Sequence, residues 1–230
     1  MLLSLRILST YEPAFLGMCT NNSLESSGLV YVSLKPIVVY TSPKITILKN
    51  FINEEASNEI ISTYSSKTKP SYVTDGITFT KSKLRSSSSS LIKKENKKML
   101  KLRTKVCSLN DWSLNDCERF QFITYSEGEE YAPHFDAFDI NQIKSSRGEI
   151  KNQRLITNII YLNENFIGGE TLFPKLDVSI KAETGMILSF ENCISDTNFL
   201  NPFSIHQSNP ISEGKKHILI SWLLKKVENT

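Results

Sequence analysis

Two histidines and one aspartate have the residue types and the spacing of a metal site. His134 and Asp136 are separated by one residue, and His206 follows 70 residues after Asp136. Residues i and i+2 of a β-strand project from the same face, so His134 and Asp136 can contact one ion together. His206 would come from a neighbouring strand and complete the two-histidine, one-carboxylate set that holds non-haem Fe(II) with open coordination positions. We therefore predict Fe(II) ligation by these three residues; the alternative is that they are structural.

A lysine follows the second histidine at a position that suits a co-substrate site. Lys216 lies ten residues after His206, and its ammonium is a compact charge that can hold an acidic co-substrate. Its neighbour Lys215 is an equal candidate by residue type alone. Such a metal beside an acidic co-substrate indicates oxidation with O2. The third histidine, His217, would point to the opposite face of a strand from Lys216, so we expect it outside the site.

Length and composition argue against several classes of protein. The 230 residues, 40% of them hydrophobic, suit one domain with a substantial core, alone or with a tail. A net charge of +3, from 27 basic and 24 acidic residues, provides no strong attraction to nucleic acid. No apolar run approaches the roughly 20 residues that a membrane span needs. Arg6 interrupts the apolar start, so we do not expect a secretory signal there.

The cysteines carry no recognisable motif. They lie at positions 19, 107, 117 and 193, without the Cys-x-x-Cys spacing of a zinc site or a redox pair. Cys107 and Cys117 lie ten residues apart and could pair in an oxidising compartment. We favour reduced thiols, as in cytoplasmic proteins, and keep the lumen of the endoplasmic reticulum as the alternative.

The pattern of apolar residues predicts helices followed by short strands. After a strand over 45–48, Asn53 caps a helix that runs to about residue 65, with Ile60 and Ile61 on its buried side. Helical spacing predicts a second helix over 91–106. The clearest strands lie at residues 120–125, 155–162, 186–190 and 217–224. Several short strands at this spacing predict a mainly β fold with flanking helices, of the double-sheet jelly-roll type.

Three segments carry a resemblance to a known family. They are YSEGEEYAPHFD at 125–136, RLITNIIYLN at 154–163 running on to GGETLFP at 168–174, and HQSNPISEGKK at 206–216. In this order they resemble the prolyl 4-hydroxylases, members of the 2-oxoglutarate/Fe(II)-dependent dioxygenase superfamily. Residues 83–87 are similar to the family's Arg-Thr-Ser segment, so we expect the serine run 86–90 to be ordered rather than a linker. The resemblance implies a dioxygenase domain over 43–227 with a double-stranded β-helix fold. Residues 1–42 remain an unassigned N-terminal extension, an added edge strand or a loosely held arm.

The resemblance also implies a set of cofactors. Fe(II) would be held by the three residues named above, with 2-oxoglutarate as the acidic co-substrate, O2 as the oxidant and ascorbate as the reductant. The family's lysine matches Lys216 rather than Lys215, and its two hydroxyl donors match Tyr125 and Thr171. A cation and two hydroxyls can satisfy a carboxylate that has been removed from water. The alternative for Thr171 is an ordinary strand residue.

The implied substrate is a polypeptide that contains proline. Tyr131, Arg154 and Trp222 match positions that line the family's peptide groove, although Trp222 would also suit the core. The implied activity is hydroxylation of peptidyl proline to 4-hydroxyproline, in a proline-rich, collagen-like or specific protein substrate, with release of succinate and CO2.

Two alternatives to this activity remain. One is a jelly-roll module that binds peptides without turnover. The other is a dioxygenase of the superfamily that acts on lysine or nucleic acid. The second would hold 2-oxoglutarate with an arginine, and no arginine follows Arg154, so we do not expect nucleic acid as a partner.

Overall fold

A computed structural model of the chain describes residues 35–71, 85–109, 111–146, 150–195 and 197–227, and the backbone of 73–74 and 79–80. Residues 1–34 of the predicted N-terminal extension lie outside this described part. The helices are α1 (Glu54–Tyr64), α2 (Lys97–Ser108) and α3 (Ile140–Ser145). The strands are β1 (Ile37–Thr41), β2 (Lys44–Leu48), β3 (Lys69–Pro70), β4 (Val73–Thr74), β5 (Phe79–Thr80), β6 (Ser88–Leu91), β7 (Gln121–Tyr125), β8 (Tyr131–His134), β9 (Asn152–Tyr161), β10 (Phe166–Gly168), β11 (Thr171–Phe173), β12 (Val178–Ile180), β13 (Ile187–Glu191), β14 (His206–Ser208), β15 (Ile211–Gly214) and β16 (Lys216–Lys226).

Two antiparallel sheets contain most of these strands. The major sheet has the order β1-β2-β13-β9-β16-β7-β6-β3, and the minor sheet has the order β12-β11-β14-β8. β10 pairs with β15, and β4 with β5, as separate two-stranded sheets. Neighbouring strands such as β9 and β16 are distant in sequence, so both sheets are assembled from long-range pairs, as in a jelly roll.

Side chains of the major sheet point alternately into two cores. Ile123 and Ile159 face the minor sheet and share a core with its Phe173. Their chain neighbours Phe122 and Ile160 face the other way and pack with residues of α1 and α2. Because both faces of the sheet are buried, its central strands are apolar almost throughout. This arrangement is the predicted mainly β fold with flanking helices.

The second helix begins later than predicted. Helical spacing suggested a start at residue 91, but Leu91 ends β6 and is 52% exposed. α2 begins at Lys97, because the Asn96 side chain accepts the backbone N–H of Met99 and so caps the helix. β6 contains most of the serine run and pairs with β7 along its length. This pairing confirms that the serine run is ordered.

The first helix and the first strands agree with the predicted pattern. Asn53 caps α1 by accepting the backbone N–H of Ala56, and Ile60 is buried, whereas Ile61 is only half-buried. β1 pairs with β2 at the edge of the major sheet, so the sheet begins before the predicted domain boundary at residue 43. Among the helices described, none is long and apolar enough to cross a membrane.

The cysteines of the described part are free and buried. Cys107 and Cys117 lie in one small apolar cluster with Leu223. Burial raises the pKa of the Cys107 thiol to about 12, so the thiol stays protonated at neutral pH and is a poor nucleophile. This agrees with the interpretation of the cysteines as reduced thiols.

Candidate metal and co-substrate site

One cavity between the two sheets contains every residue that the sequence singled out for the site. Its wall is built from β7, β9 and β16 of the major sheet and from β8, β11 and β14 of the minor sheet. All nine predicted residues line it: Tyr125, Tyr131, His134, Asp136, Arg154, Thr171, His206, Lys216 and Trp222.

The two histidines and the aspartate converge on one point of this cavity. His134 ends β8 and is the direct partner of His206, the first residue of β14. Asp136 follows β8 by two residues and lies between them. The Nε2 atom of His134 is 3.6 Å from Asp136 Oδ1, and that of His206 is 3.6 Å from Asp136 Oδ2. One potential ligand atom from each residue lies within 4.8 Å of the others.

Backbone carbonyls set the tautomer of both histidines. Nδ1 of His134 lies 2.9 Å from the Ala132 carbonyl, and Nδ1 of His206 lies 3.0 Å from the Ser204 carbonyl. A carbonyl oxygen can only accept, so each Nδ1 carries a proton, which leaves Nε2, the atom that faces Asp136, as the nitrogen available to a metal. The ring of Tyr131 stacks on His134 at 3.5 Å between centroids and fixes its orientation.

The protonation states of His134 and Asp136 also suit a metal. Burial and the neighbouring His206 lower the pKa of His134 far below its ordinary value. Burial alone would raise the pKa of Asp136, but His206 and His134 outweigh it and lower that pKa. Two neutral imidazoles and one carboxylate are the form in which these side chains bind a cation. The donor set therefore fits Fe(II).

A chain of hydrogen bonds holds the aspartate in place. Asp136 Oδ2 accepts from the Thr157 hydroxyl at 2.7 Å and from Trp222 Nε1 at 3.0 Å. The Thr157 oxygen in turn accepts from Asn192 Nδ2 at 2.7 Å. Neither sequence interpretation of Trp222 anticipated this contact, and Thr157 and Asn192 were missed. The one signal for Thr157 was a polar residue inside the apolar run of β9.

Trp222→Phe is expected to lower Fe(II) affinity. Phenylalanine keeps most of the ring packing but removes the N–H that holds Asp136, and loss of such an outer hydrogen bond costs roughly 10–100-fold in metal affinity. The measurement is the Fe(II) concentration that gives half-maximal activity, at saturating 2-oxoglutarate. Thr157→Val removes the other donor with little change of shape and should have a similar effect. Unchanged Fe(II) requirements in both variants would show that these bonds do not orient the ligand.

The other end of the cavity contains a buried cation. Lys216 is 1% exposed, and its Nζ donates to the Gly169 carbonyl at 2.6 Å and to Ser208 Oγ at 2.9 Å. An ammonium has three N–H donors, so one remains for a ligand. Within the described residues no carboxylate forms an ion pair with it, and burial lowers its pKa to about 7. A buried lysine that forms no ion pair is suited to an anionic ligand.

Hydroxyl groups surround this lysine. Thr171 Oγ1 and the hydroxyl of Tyr161 are 2.7 Å apart, and Lys216 Nζ lies 5.2 Å from the ring centre of Tyr125 and 5.7 Å from that of Tyr161. Tyr161 was missed by the sequence analysis, because its position in an apolar strand looked like ordinary core. The structure brings it together with the predicted Tyr125 and Thr171.

The two residues that flank Lys216 lie elsewhere. Lys215 is exposed, and its backbone carbonyl accepts from Asn163. His217 stacks on Phe122, in the core on the outer face of the major sheet, and its Nδ1 lies 3.0 Å from the Thr124 hydroxyl. Of the three consecutive residues 215–217, only Lys216 lines the cavity.

The remaining predicted residues lie on the metal side of the cavity. The Arg154 guanidinium stacks over the Trp222 ring at 3.7 Å, and two of its nitrogens bond Glu118 at 2.9 and 3.3 Å. Its third nitrogen, Nη1, has no hydrogen-bond partner in the described part of the chain. Arg85, which the sequence analysis did not assign to the site, also lines the cavity and stacks over the ring of Tyr131 at 4.9 Å.

Comparisons with known proteins agree with this geometry. The family model described as the 2OG-Fe(II) oxygenase superfamily matches residues 120–224. A curated relative from Acanthamoeba polyphaga mimivirus, named "Putative prolyl 4-hydroxylase", is 29% identical over 181 residues, covering 78% of this chain and 74% of the relative.

Solved structures of prolyl hydroxylases share the fold. The viral collagen prolyl hydroxylase of Paramecium bursaria Chlorella virus-1, in its 2OG complex, matches with a TM-score of 0.60 at 23% identity, covering 78% of this chain and 95% of that one. A prolyl hydroxylase from Trichoplax adhaerens, in complex with a hypoxia inducible factor oxygen degradation domain peptide fragment, matches with a TM-score of 0.57 at 17% identity, over 80% and 84% of the two chains.

These matches confirm the predicted jelly-roll fold, and the matched region contains the metal triad, Lys216 and the strands that carry them. Together the comparisons support a member of the prolyl 4-hydroxylase family, within the 2-oxoglutarate/Fe(II) oxygenase superfamily.

Proposed function

We propose that this enzyme hydroxylates peptidyl proline to 4-hydroxyproline, using 2-oxoglutarate and O2 and releasing succinate and CO2. One observation carries the proposal. A single cavity joins two histidines and a carboxylate, close enough to share one ion, to a buried lysine that forms no ion pair within the described residues. The substrate class comes from the relatives, which are named as prolyl hydroxylases.

His134, Asp136 and His206 would hold the metal. When bound, Fe(II) would activate O2 with electrons from 2-oxoglutarate, so that one oxygen atom enters a C–H bond and the other enters succinate, and ascorbate is the expected reductant. The protein keeps both Nε2 lone pairs directed at the ion through the carbonyls of Ala132 and Ser204. Trp222 holds Asp136 by one oxygen.

Lys216 would hold the distal carboxylate of 2-oxoglutarate. Its Nζ is anchored by Gly169 and Ser208, and so points in a fixed direction. Thr171 and Tyr125 line the cavity and would donate their hydroxyl hydrogens to the same carboxylate, and the hydroxyl of Tyr161 lies against that of Thr171. A carboxylate that loses water here gains a cation and several hydroxyls in exchange.

Tyr131, Arg154 and Trp222 would contact the peptide. Nη1 of Arg154 can donate to a peptide carbonyl, while its other nitrogens stay fixed by Glu118. Tyr131 is half-buried and lines the cavity, and His134 and Arg85 stack on its ring, so it would meet the peptide beside these two side chains. The structurally similar Trichoplax enzyme was solved with a peptide fragment, which supports a polypeptide as the ligand of this cavity.

The test uses matched peptides. With Fe(II), 2-oxoglutarate and ascorbate, a proline-rich peptide should yield hydroxyproline, modified at carbon 4, and one succinate per modified residue. The same peptide with alanine in place of proline should stimulate no succinate release, because the reacting ring is missing. Peptides with lysine in place of proline should also be inert.

Mass spectrometry of the peptides and a succinate assay measure both products. Hydroxylysine, or oxidative demethylation of a nucleic acid, without hydroxyproline on any polypeptide would overturn the substrate assignment. Peptide binding without any turnover would overturn the enzyme assignment.

A further inference from the structure

Three exposed apolar side chains lie close together in the chain, just before the second metal-binding histidine. Ile194, Phe199 and Phe203 are 48%, 56% and 47% exposed, and His206 follows three residues after the last of them. Neither the metal site nor the core uses these side chains. Clustered apolar side chains on a protein surface mark places where a partner binds.

A hairpin presents two of these side chains on one face. Cys193 and Leu200 are antiparallel partners, and the backbone N–H of Ile194 donates to the Phe199 carbonyl at 2.9 Å. Ile194 and Phe199 are therefore directly opposite each other, and such pairs place their Cβ atoms about 5 Å apart on the same face. Phe203 follows in the short helical turn that leads to His206. We call Ile194 and Phe199 the hairpin patch.

A buried amide connects this hairpin to the wall of the cavity. Gln153 of β9 is fully buried, and its Nε2 donates to the carbonyls of Phe138 and Asn198 at 2.8 and 3.0 Å. Asn198 belongs to the hairpin. Phe138 lines the cavity, and its ring lies 5.8 Å from the guanidinium of Arg154. One nitrogen holds both carbonyls, so the hairpin is fixed beside the part of the cavity that would receive the peptide.

We propose that the hairpin patch is a second docking surface for the polypeptide substrate, outside the cavity that receives the target proline. This inference rests on the proposed function. The patch is uncharged and apolar, so the segment that it binds carries apolar side chains. Ile194 and Phe199 do not line the cavity, so the segment that they bind is not the target proline itself. The patch would thus favour long substrates over short peptides.

The test compares two substrates with the same target proline. One is a proline-rich peptide of about six residues, which spans about 20 Å, and the other has about forty residues, with leucine and phenylalanine on both sides of the target. The double variant Ile194→Thr/Phe199→Ser should raise KM for the long peptide about tenfold, as expected for the loss of one well-buried apolar contact. KM for the short peptide and both kcat values should remain within about twofold.

A matched control variant comes from another surface. Leu100→Thr on α2 removes a side chain that is 41% exposed and should leave both KM values unchanged. Equal KM values for the long peptide in wild type and double variant would overturn the docking surface, as would an equal rise for both peptides or for Leu100→Thr. If wild type hydroxylated neither peptide, the proposed function would fall and the docking surface with it. Hydroxylation of the short peptide by wild type would show that the proposed function holds even if the docking surface fails.

Discussion

His206→Ala is expected to abolish proline hydroxylation and to weaken Fe(II) binding by more than about 100-fold, beyond what loss of an outer hydrogen bond costs. The variant removes one of three donors, and the remaining His134 and Asp136 cannot hold the ion in an open facial geometry. Fe(II) affinity would be measured without oxygen by competition with a chelator, and hydroxyproline by mass spectrometry. The readout of metal binding does not depend on the identity of the peptide substrate.

Two further variants separate loss of the metal from loss of the fold. The ring of His206 lies 4.7 Å from that of Phe190, so alanine leaves a gap in the packing. His206→Gln fills most of that volume and should lose activity while melting near the wild-type temperature. His217→Ala removes the histidine that stacks on Phe122 outside the cavity. It should keep turnover near the wild-type level. Near-normal hydroxylation by His206→Ala, or an equal loss in His217→Ala, would contradict the metal assignment.

The convergence of the three candidate metal ligands could be predicted from sequence only as far as local geometry reaches. A spacing of two residues places His134 and Asp136 on one side of the chain in any strand, whatever the rest of the fold. The direct pairing of His134 with His206 depends on how β8 and β14 align. That register is set by burial of whole sheet faces and not by the residues near either histidine. Here the order of the family motifs provided what local spacing could not.

The hydrogen bonds around the metal ligands were harder to predict. Thr157 and Asn158 both interrupt the apolar run of β9, and adjacent strand residues point to opposite faces. In the fold Thr157 donates to Asp136, while the Asn158 side chain accepts from Ser189 on the other side of the sheet. Which of the two serves the site depends on strand register. The sequence pattern alone treats them as equivalent.

The predicted start of α2 was wrong for a different reason. Ile92 and Met99 are seven residues apart and both are buried in the core beneath the helices, so apolar spacing suggested one continuous helix. Pairing of β6 with β7 takes the residues before Ile92 into the major sheet instead. Helix propensity is a weak preference that tertiary pairing overrides. Asn96 was the available signal for the true start, since its side chain caps the helix.

Lys216→Ala is expected to raise the 2-oxoglutarate requirement by at least about 100-fold, because a desolvated carboxylate that loses its charged partner costs on the order of 3–5 kcal/mol. The affinity for Fe(II) should change little, since Lys216 lies at the other end of the cavity from the triad. The measurement is the concentration of 2-oxoglutarate for half-maximal turnover, supported by direct titration without oxygen.

The matched control is the neighbouring lysine. Lys215→Ala removes an exposed side chain that does not line the cavity, so the 2-oxoglutarate requirement should stay within about twofold of wild type. Lys216→Arg should rescue binding poorly, since the guanidinium is larger and differently shaped than the ammonium that Gly169 and Ser208 hold. Equal effects of alanine at positions 215 and 216 would contradict the assignment of Lys216 to the co-substrate.

The pH dependence of binding gives an independent test of the same lysine. Burial lowers the pKa of Lys216 to about 7 in the protein without co-substrate. At pH 8, therefore, Lys216 is protonated in only about a tenth of the protein molecules. The carboxylate prefers the protonated form, so binding must take up a proton. Affinity for 2-oxoglutarate should therefore fall about tenfold per pH unit above pH 7, until the pKa of the bound lysine is reached. Lys216→Arg stays charged throughout. Calorimetry in two buffers of different ionisation enthalpy measures the proton uptake, and equal uptake by wild type and Lys216→Arg would assign it to another group.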